Sequence, residues 1–567
     1  MNVFHLLSTR RAKEAASHEI DPEDVFLDSQ NLSSLNINQL EGQLSRPLGV
    51  RVYYLFTIFI VVLFGATVFR LFGMQITDFA VYQEKADRNH LRTTPIFAHR
   101  GTISDVNGDL IAWNSSKGEF YEIPDRIYTS TPGFSHLLGY VSYPKKDQSG
   151  VFWQDEYIGR DGIEKQYQDR LAGQRGEKVV AVNALHKIEA ENVTIDPTNG
   201  ENLKLTIDKG VQAKLYESME ALAHKAYFTS GAGVIMDVNT GAVLAIASYP
   251  EYNNNLMTNA TSTEDKKIIS KDLLDKNKKF LNRAVAGAFT PGSTVKPFIA
   301  MAALMEGVIS PLQNIYSSGQ LVIKNKYGGP DSVFKDWKAH GYTDMRKALA
   351  ESSDEYFYQV GGGFENQKGL GIARINKYAK LFGFGTTTGI DLPGEVHGNV
   401  PSPEWKKKVF NEDWLLGNTY HTAIGQYGFQ LTTLELVRGI AVIANGGTLV
   451  TPHMIDGVVT ASSKITLPEK DLKVVREGMH MVVHEDNGTG TALNIPGIDV
   501  AAKTGSAELG VSKQLVNSLI TGYFPYENPK YAFVVVMEKG DRHNTYGSVL
   551  VMQEVLLWMR DNTTYTK

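Results

Sequence analysis

The chain contains no cysteine, which excludes disulfides and thiolate metal sites but does not by itself choose a compartment. It also lacks any long basic block, and its formal net charge is −5. The electrostatic footprint of a nucleic-acid binder is therefore absent. Charge is missing locally too: residues 52–69 carry no Asp, Glu, Lys or Arg. As an α-helix this run would span about 27 Å, close to the hydrocarbon thickness of a bilayer. Arg51 and Arg70 bound it, about fifty residues precede it, and no small-x-small cleavage site follows. It reads as an uncleaved signal anchor rather than a buried core helix or a cleaved signal peptide. Its orientation is not set by charge, because Arg46 and Arg51 on one side face Arg70, Lys85, Arg88 and Arg92 on the other.

Three short motifs carry chemistry. Ser293-Thr294-Val295-Lys296 follows Pro291-Gly292 and precedes an apolar, helix-compatible run from Phe298 to Met305. A serine hydroxyl is a weak nucleophile until a base stands beside it, and residues three apart share a helix face, which puts Lys296 one turn from Ser293. Ser352-Ser353-Asp354 comes next. Lys503-Thr504-Gly505-Ser506 follows, after the strand-like Val500-Ala501-Ala502. Two further Ser-x-x-Lys matches are decoys: Ser142 to Lys145 contains Pro144, and Ser332 to Lys335 follows Gly328-Gly329-Pro330 and reads as loop or strand. In this order the three motifs make the constellation of a serine acyltransferase of the penicillin-recognising type.

The chain resembles the class B penicillin-binding proteins, and among them the penicillin-binding protein 2 lineage, the D,D-transpeptidases of cell elongation. Arg100-Gly101-Thr102-Ile103-Ser104-Asp105-Val106-Asn107-Gly108 resembles one family signature. Gly159-Arg160-Asp161-Gly162-Ile163-Glu164-Lys165-Gln166-Tyr167 with Leu171-Ala172-Gly173 resembles a second. Thr206-Ile207-Asp208 and Gly241-Ala242-Val243-Leu244-Ala245 resemble the entry to the transpeptidase domain. The likeness runs from about residue 45 to the C-terminus.

The chain divides into four stretches: a polar, cytoplasmic tail at 1–50 read as disordered, the anchor at 51–73, an elongated, mainly β, non-catalytic pedestal of the dimerisation type at 74–200, and a transpeptidase domain at 201–567. In the last, residues 212–225 and 549–560 read as helices. Residues 232–238 and 242–248 read as a β-hairpin around Asn239-Thr240-Gly241, and late strands lie at 519–524 and 531–537. Strands from both ends of one domain imply a sheet assembled from distant segments. The resemblance makes it an α/β (α+β) penicillin-binding transpeptidase fold, with a five-stranded antiparallel sheet flanked by helices.

The resemblance also implies a mechanism. Ser293 would attack the carbonyl of a D-Ala-D-Ala stem peptide, giving an acyl-enzyme that an amine of a second stem peptide resolves, and β-lactams would acylate the same serine. Lys296 would serve as base with its pKa depressed by burial and by Lys503. The N–H groups of Ser293 and Ser506 would hold the oxyanion, and Thr504, Ser506 and Lys503 the substrate carboxylate. Gly505 would let substrate approach the strand closely. Asp354 stands where the superfamily more often has Asn. It is expected to pair chiefly with Lys503, leaving Ser352 and Lys296 to shuttle the proton. Thr422 to Gly428 resembles the family's Ile-Gly-Gln-Gly loop, with Tyr427 either narrowing the site or packing beside a helix whose start carries the capping box Thr432-Thr433-Leu434-Glu435. Asp336, His340 and Asp344 are read as solvated polar residues rather than a metal cluster. No cofactor and no metal are expected. The implied partners are peptidoglycan stem peptides, β-lactams, the cytoplasmic membrane, a RodA-type glycan polymerase and elongation-complex proteins, with the catalytic part outside the cytoplasm and the N-terminus inside. A septal transpeptidase, a β-lactam sensor and a D,D-carboxypeptidase or β-lactamase remain open as alternatives.

Overall fold

The computed structural model describes residues 49–115, 123–148, 152–182, 188–510 and 513–566. The tail read as disordered lies, apart from its last two residues, outside the described residues. Contacts divide the chain into two units, 1–90 and 91–567. In the first, helix α1 (Val50–Phe72) continues through a π-helical turn (Gly73–Thr77), and none of its side chains is buried. The stretch Val50–Thr77 is long and apolar enough to cross a membrane. Even its hydroxyls suit hydrocarbon: Thr57 and Thr67 donate to the carbonyls of Tyr53 and Leu63, at 2.8 and 2.7 Å. Neither threonine hydroxyl then needs water.

The second unit is built on a five-stranded sheet. Its strands are β1 (Ser230–Asp237), β2 (Val243–Tyr249), β3 (Ala501–Leu509), β4 (Leu515–Phe524) and β5 (Tyr531–Asp541). The order is β2-β1-β5-β4-β3, and every pair is antiparallel. The chain enters at one edge with the β1–β2 hairpin and returns about 250 residues later to fill the rest, which leaves β3 as the far edge. Period-two alternation sends neighbouring side chains to opposite faces. Val234, Met236, Val534 and Val536 join one core, whereas Ile235, Phe533 and Val535 join the other. Both faces are buried, which is why these strands read as continuous apolar runs rather than as alternating ones.

Helix α2 (Lys209–Ala226) and a C-terminal helix cover one face. Between them in sequence come α3 (Lys296–Met305), α4 (Met345–Ala350), α5 (Asp354–Gly362), α6 (Thr433–Asn445) and α7 (Glu469–His484), and the C-terminal helix is α8 (Ser548–Asn562). Val211, Leu215 and Met219 of α2 meet Val551, Val555 and Met559 of α8 in the second core. On the opposite face α6 packs against β1, β4 and β5, and α7 against β3. The capping box at the start of α6 forms as read: Thr432 Oγ1 accepts from Glu435 N at 3.1 Å, and Glu435 Oε2 from Thr432 N at 2.7 Å. The decoy Ser332–Lys335 is a strand paired with Gln320–Ile323, so its serine and lysine do not share a helix face.

Residues 91–204 form small sheets, among them Leu91–Ile96 with Gly176–Val182 and Ile188–Ile195. Their core is continuous with the main one, since Ile103, Ile111 and Tyr128 belong to the same cluster as Val234. Asn255 locks the junction by bonding both backbone groups of Tyr128 at 2.9 Å. The two N-terminal signatures meet here. Glu164 receives Arg100 Nε at 2.5 Å and Arg126 Nε at 2.8 Å, and the side chains of all three are at most 1% exposed. Burial alone would raise the Glu164 carboxyl, but the two guanidiniums outweigh it and hold the pKa below the usual range. A Glu164→Gln substitution leaves two buried guanidiniums without a counter-charge. It should lower the unfolding free energy by about 3–5 kcal/mol, read as a drop in denaturant midpoint.

Candidate active site

Gly292–Val295 is a 3-10 turn, and α3 begins at Lys296. At three residues per turn, positions i and i+3 lie directly in line. The local geometry therefore aligns Ser293 with Lys296 more closely than the α-helix expected from sequence would. Ser293 is half-buried, whereas Lys296 is wholly inaccessible. Lys296 Nζ donates to Ser352 O at 2.7 Å, to Ser352 Oγ at 3.3 Å and to Asp354 Oδ1 at 2.6 Å. Three acceptors match the three protons of an ammonium.

The second motif sits in a turn between two helices. Ser352 N donates to Leu349 O and Ser353 N to Ala348 O, the paired bonds of a Schellman cap on α4. That cap wants a left-handed residue, and Ser352 adopts φ 58° where glycine would be free of strain. The strained conformation aims both its carbonyl and its hydroxyl at Lys296. Ser353 then caps α5, and Asp354 opens that helix, where the dipole favours a carboxylate.

The expected pairing of Asp354 with Lys503 is corrected by this geometry: the carboxylate binds Lys296. Lys503 is fully buried, and its Nζ donates to Thr504 O at 3.1 Å. It has no ion pair among the described residues. Burial first, and the neighbouring Lys296 charge second, hold its pKa well below the usual lysine range, with Asp354 opposing in part. The ammonium form of Lys503 is thereby disfavoured.

Strand β3 lies against the serine turn. A Cβ at Gly505 would come within 2.9 Å of Pro291 O and 2.8 Å of Thr294 Cγ2. The glycine is thus required by the turn's approach to the strand, a reason different from the substrate approach expected of it. Gly292 N donates to Gly425 O at 3.0 Å, and a Cβ on Gly425 would meet Gly292 O at 2.1 Å. The loop at 422–428 is therefore the floor under the turn. Tyr427 packs edge-on to Trp405 and Trp414, with ring centroids 6.1 and 5.8 Å away. Its packing partners thus lie on and just after the helix Pro403–Phe410, not on the helix capped by Thr432.

Asp336 and His340 correct the expectation of solvated polar residues, for both side chains are wholly buried. Asp336 Oδ2 accepts from Ser353 Oγ at 2.9 Å and from Glu355 N at 2.8 Å, bracing the Ser352–Asp354 turn from behind. His340 Nδ1 lies 2.8 Å from Glu351 Oε2. Burial alone would lower its pKa, but Asp336 and Glu351 outweigh it and raise the imidazole. Asp344 is spent elsewhere, capping α4 through Lys347 N. Thr489 escaped the sequence reading. Its hydroxyl sits 2.6 Å from Thr504 Oγ1, and its N–H donates to Ala350 O, tying α4 to β3. The glycine-flanked run Asn487-Gly488-Thr489-Gly490 marks a turn, but nothing in it indicates which side chain faces the site.

Residues 231–555 match the penicillin binding protein transpeptidase domain, and residues 119–205 the penicillin-binding protein dimerisation domain. The peptidoglycan D,D-transpeptidase MrdA of Haemophilus influenzae is 30% identical, over 84% of this chain and 87% of that relative. Among solved structures, PBP2 of Helicobacter pylori in complex with MreC superposes with a TM-score of 0.68 at 27% identity, covering 83% of this chain and 99% of that one. A chain from a peptidoglycan synthase complex that coordinates polymerization and crosslinking superposes at 0.70 with 26% identity, covering 91% and 99%.

A Ser352→Gly substitution separates strain from function. Relief of the positive φ should leave unfolding free energy unchanged or raise it by up to about 1 kcal/mol. Loss of the hydroxyl beside Lys296 should slow reaction of Ser293 with a fluorescent penicillin by about 100-fold. Thermal melts and stopped-flow labelling read the two effects independently.

Proposed function

The chain belongs to the penicillin-binding protein transpeptidase family, and from that premise we infer that it is a membrane-anchored serine D,D-transpeptidase that cross-links peptidoglycan stem peptides during cell elongation. The observation that carries the reading is the cleft in which the Ser293 turn, the Lys296–Asp354 pair and the Lys503-Thr504-Gly505 edge of β3 converge, with both lysines buried.

In the proposed reaction Ser293 Oγ attacks the carbonyl of the penultimate D-alanine. The hydroxyl proton leaves through the lysine pair, the C–N bond breaks, and D-alanine departs carrying a proton as its amine. A stem-peptide amine then attacks the ester and returns the proton to Ser293. Lys296 Nζ is held by Asp354 and Ser352, and a proton it takes from Ser293 passes on to a nearby amine. Lys503 is that acceptor and, once protonated, attracts the terminal carboxylate together with Thr504 and Ser506. Backbone N–H groups of Ser293 and Ser506 serve as the oxyanion hole. β-Lactams take the same path to the acyl-enzyme. Kinship with MrdA favours this synthetic role over a sensor, a carboxypeptidase or a septal enzyme.

Helix α1 is the single-pass anchor. The N-terminus lies in the cytoplasm and residues 91–567 outside, where the substrate is. Residues 91–200 act as a pedestal, and a RodA-type glycan polymerase and elongation-complex proteins bind through the anchor and pedestal. The likeness to a chain of a synthase complex supports this assignment, as does the MreC complex formed by the Helicobacter pylori relative.

Two measurements test the reading. Intact-mass analysis after benzylpenicillin treatment should show one stable adduct mapped to Ser293. Ser293→Ala should show none while its melt stays within about 1 kcal/mol of the parent; an adduct elsewhere would overturn the assignment. The pH dependence follows from Lys503. An amine with a depressed pKa sheds its proton below the ordinary lysine range, so the acylation rate should rise with pH and level off well before pH 10. Lys503→Arg, which cannot deprotonate, should remove that rising limb.

A further inference from the structure

We propose that His480, His484 and Asp499 form a binding site for one divalent transition-metal cation, with zinc as the best chemical fit. The two histidines stand four residues apart in the last two turns of α7, and so share a face. Asp499 lies two residues before β3. Both imidazoles converge on one carboxylate oxygen: His480 Nε2 is 2.8 Å and His484 Nε2 3.2 Å from Asp499 Oδ1. Their rings stack with centroids 4.0 Å apart, and Tyr526 stacks on the far side of His480 at 4.3 Å. Tyr526 N donates to Asp499 O at 2.9 Å, which fixes the aspartate's backbone beneath the same ring.

The arrangement is poorly satisfied by protons alone. His480 takes the hydrogen bond to that oxygen, and the Nε2 atom of His484 is inaccessible to solvent yet without a hydrogen-bond partner. A cation placed between the three groups would take a lone pair from each. All three ligand atoms already lie within 4.8 Å of one another, against about 3.3 Å between the ligands of a tetrahedral zinc, so small side-chain rotations close the site. Two nitrogens and one carboxylate oxygen suit zinc rather than magnesium or calcium. The three side chains remain 27–44% exposed, leaving room for water as the remaining ligand. A bound ion would join the C-terminal end of α7 to the foot of the strand carrying Lys503.

Equilibrium dialysis of the full chain in detergent against zinc, followed by metal quantification and thermal melting, tests the site. The parent should retain one more equivalent of zinc than the His480→Ala/His484→Ala double variant. Zinc should raise the parent's melting temperature and leave the variant's unchanged. Asp499→Asn, which keeps a hydrogen-bonding side chain, should bind at least tenfold more weakly. Unchanged penicillin labelling of the metal-free variants establishes that they fold. If the parent and the folded double variant hold equal zinc with equal thermal shifts, or if the parent binds none, the proposal is overturned. Because labelling is read without metal, its failure would count against the transpeptidase reading and not against the site.

Discussion

Two buried lysines stand close enough to feel each other's charge, and the carboxylate of Asp354 pairs with one of them, Lys296. Asp354 lies 2.6 Å from Lys296 Nζ and reaches Lys503 only as a weaker field. At an effective dielectric of about 20, unit charges 4 Å apart interact by about 4 kcal/mol. Lys296 thus has a counter-charge in contact, whereas burial disfavours the ammonium form of Lys503. The asymmetry places two identical side chains in different electrostatic surroundings. Much of the surrounding structure is explained by the need to keep it: the strained Ser352, the cap at Ser353, and the buried Asp336 behind them.

The serine turn is held with comparable care by backbone alone. Gly292 meets Gly425 on one side, and the turn meets Gly505 on the other, each at a spacing that any side chain would break. Three segments far apart in sequence therefore have to be in place before Ser293 acquires its position. The sheet edge supplies rigidity, since β3 is paired along its whole length with β4. Loop 422–428, pinned by Trp405 and Trp414 around Tyr427, supplies the floor.

Below the cleft, the Arg100–Glu164–Arg126 cluster does for the N-terminal module what the lysine pair does for the site. It joins strands and helices that are short and could not form a large core by themselves. Their apolar residues instead extend the main core through Ile103, Ile111 and Tyr128. The module is thereby joined to the main sheet through packed side chains.

The sequence alone determined the anchor, the three motifs and their order, the hairpin β1–β2 and the capping box of α6. Each of these rests on local periodicity or on residue chemistry within a few positions. The five-stranded antiparallel sheet came from the resemblance, and its strand order and far edge from the structure, because no local pattern tells which distant strands meet. Only the tertiary structure decided that Asp354 takes Lys296, that Gly505 serves the serine turn, that Asp336 and His340 are buried braces, and that Thr489 joins α4 to β3. Burial and through-space charge are properties of neighbours that the fold brings together from positions up to about two hundred residues apart. Spacing along the chain does not encode them.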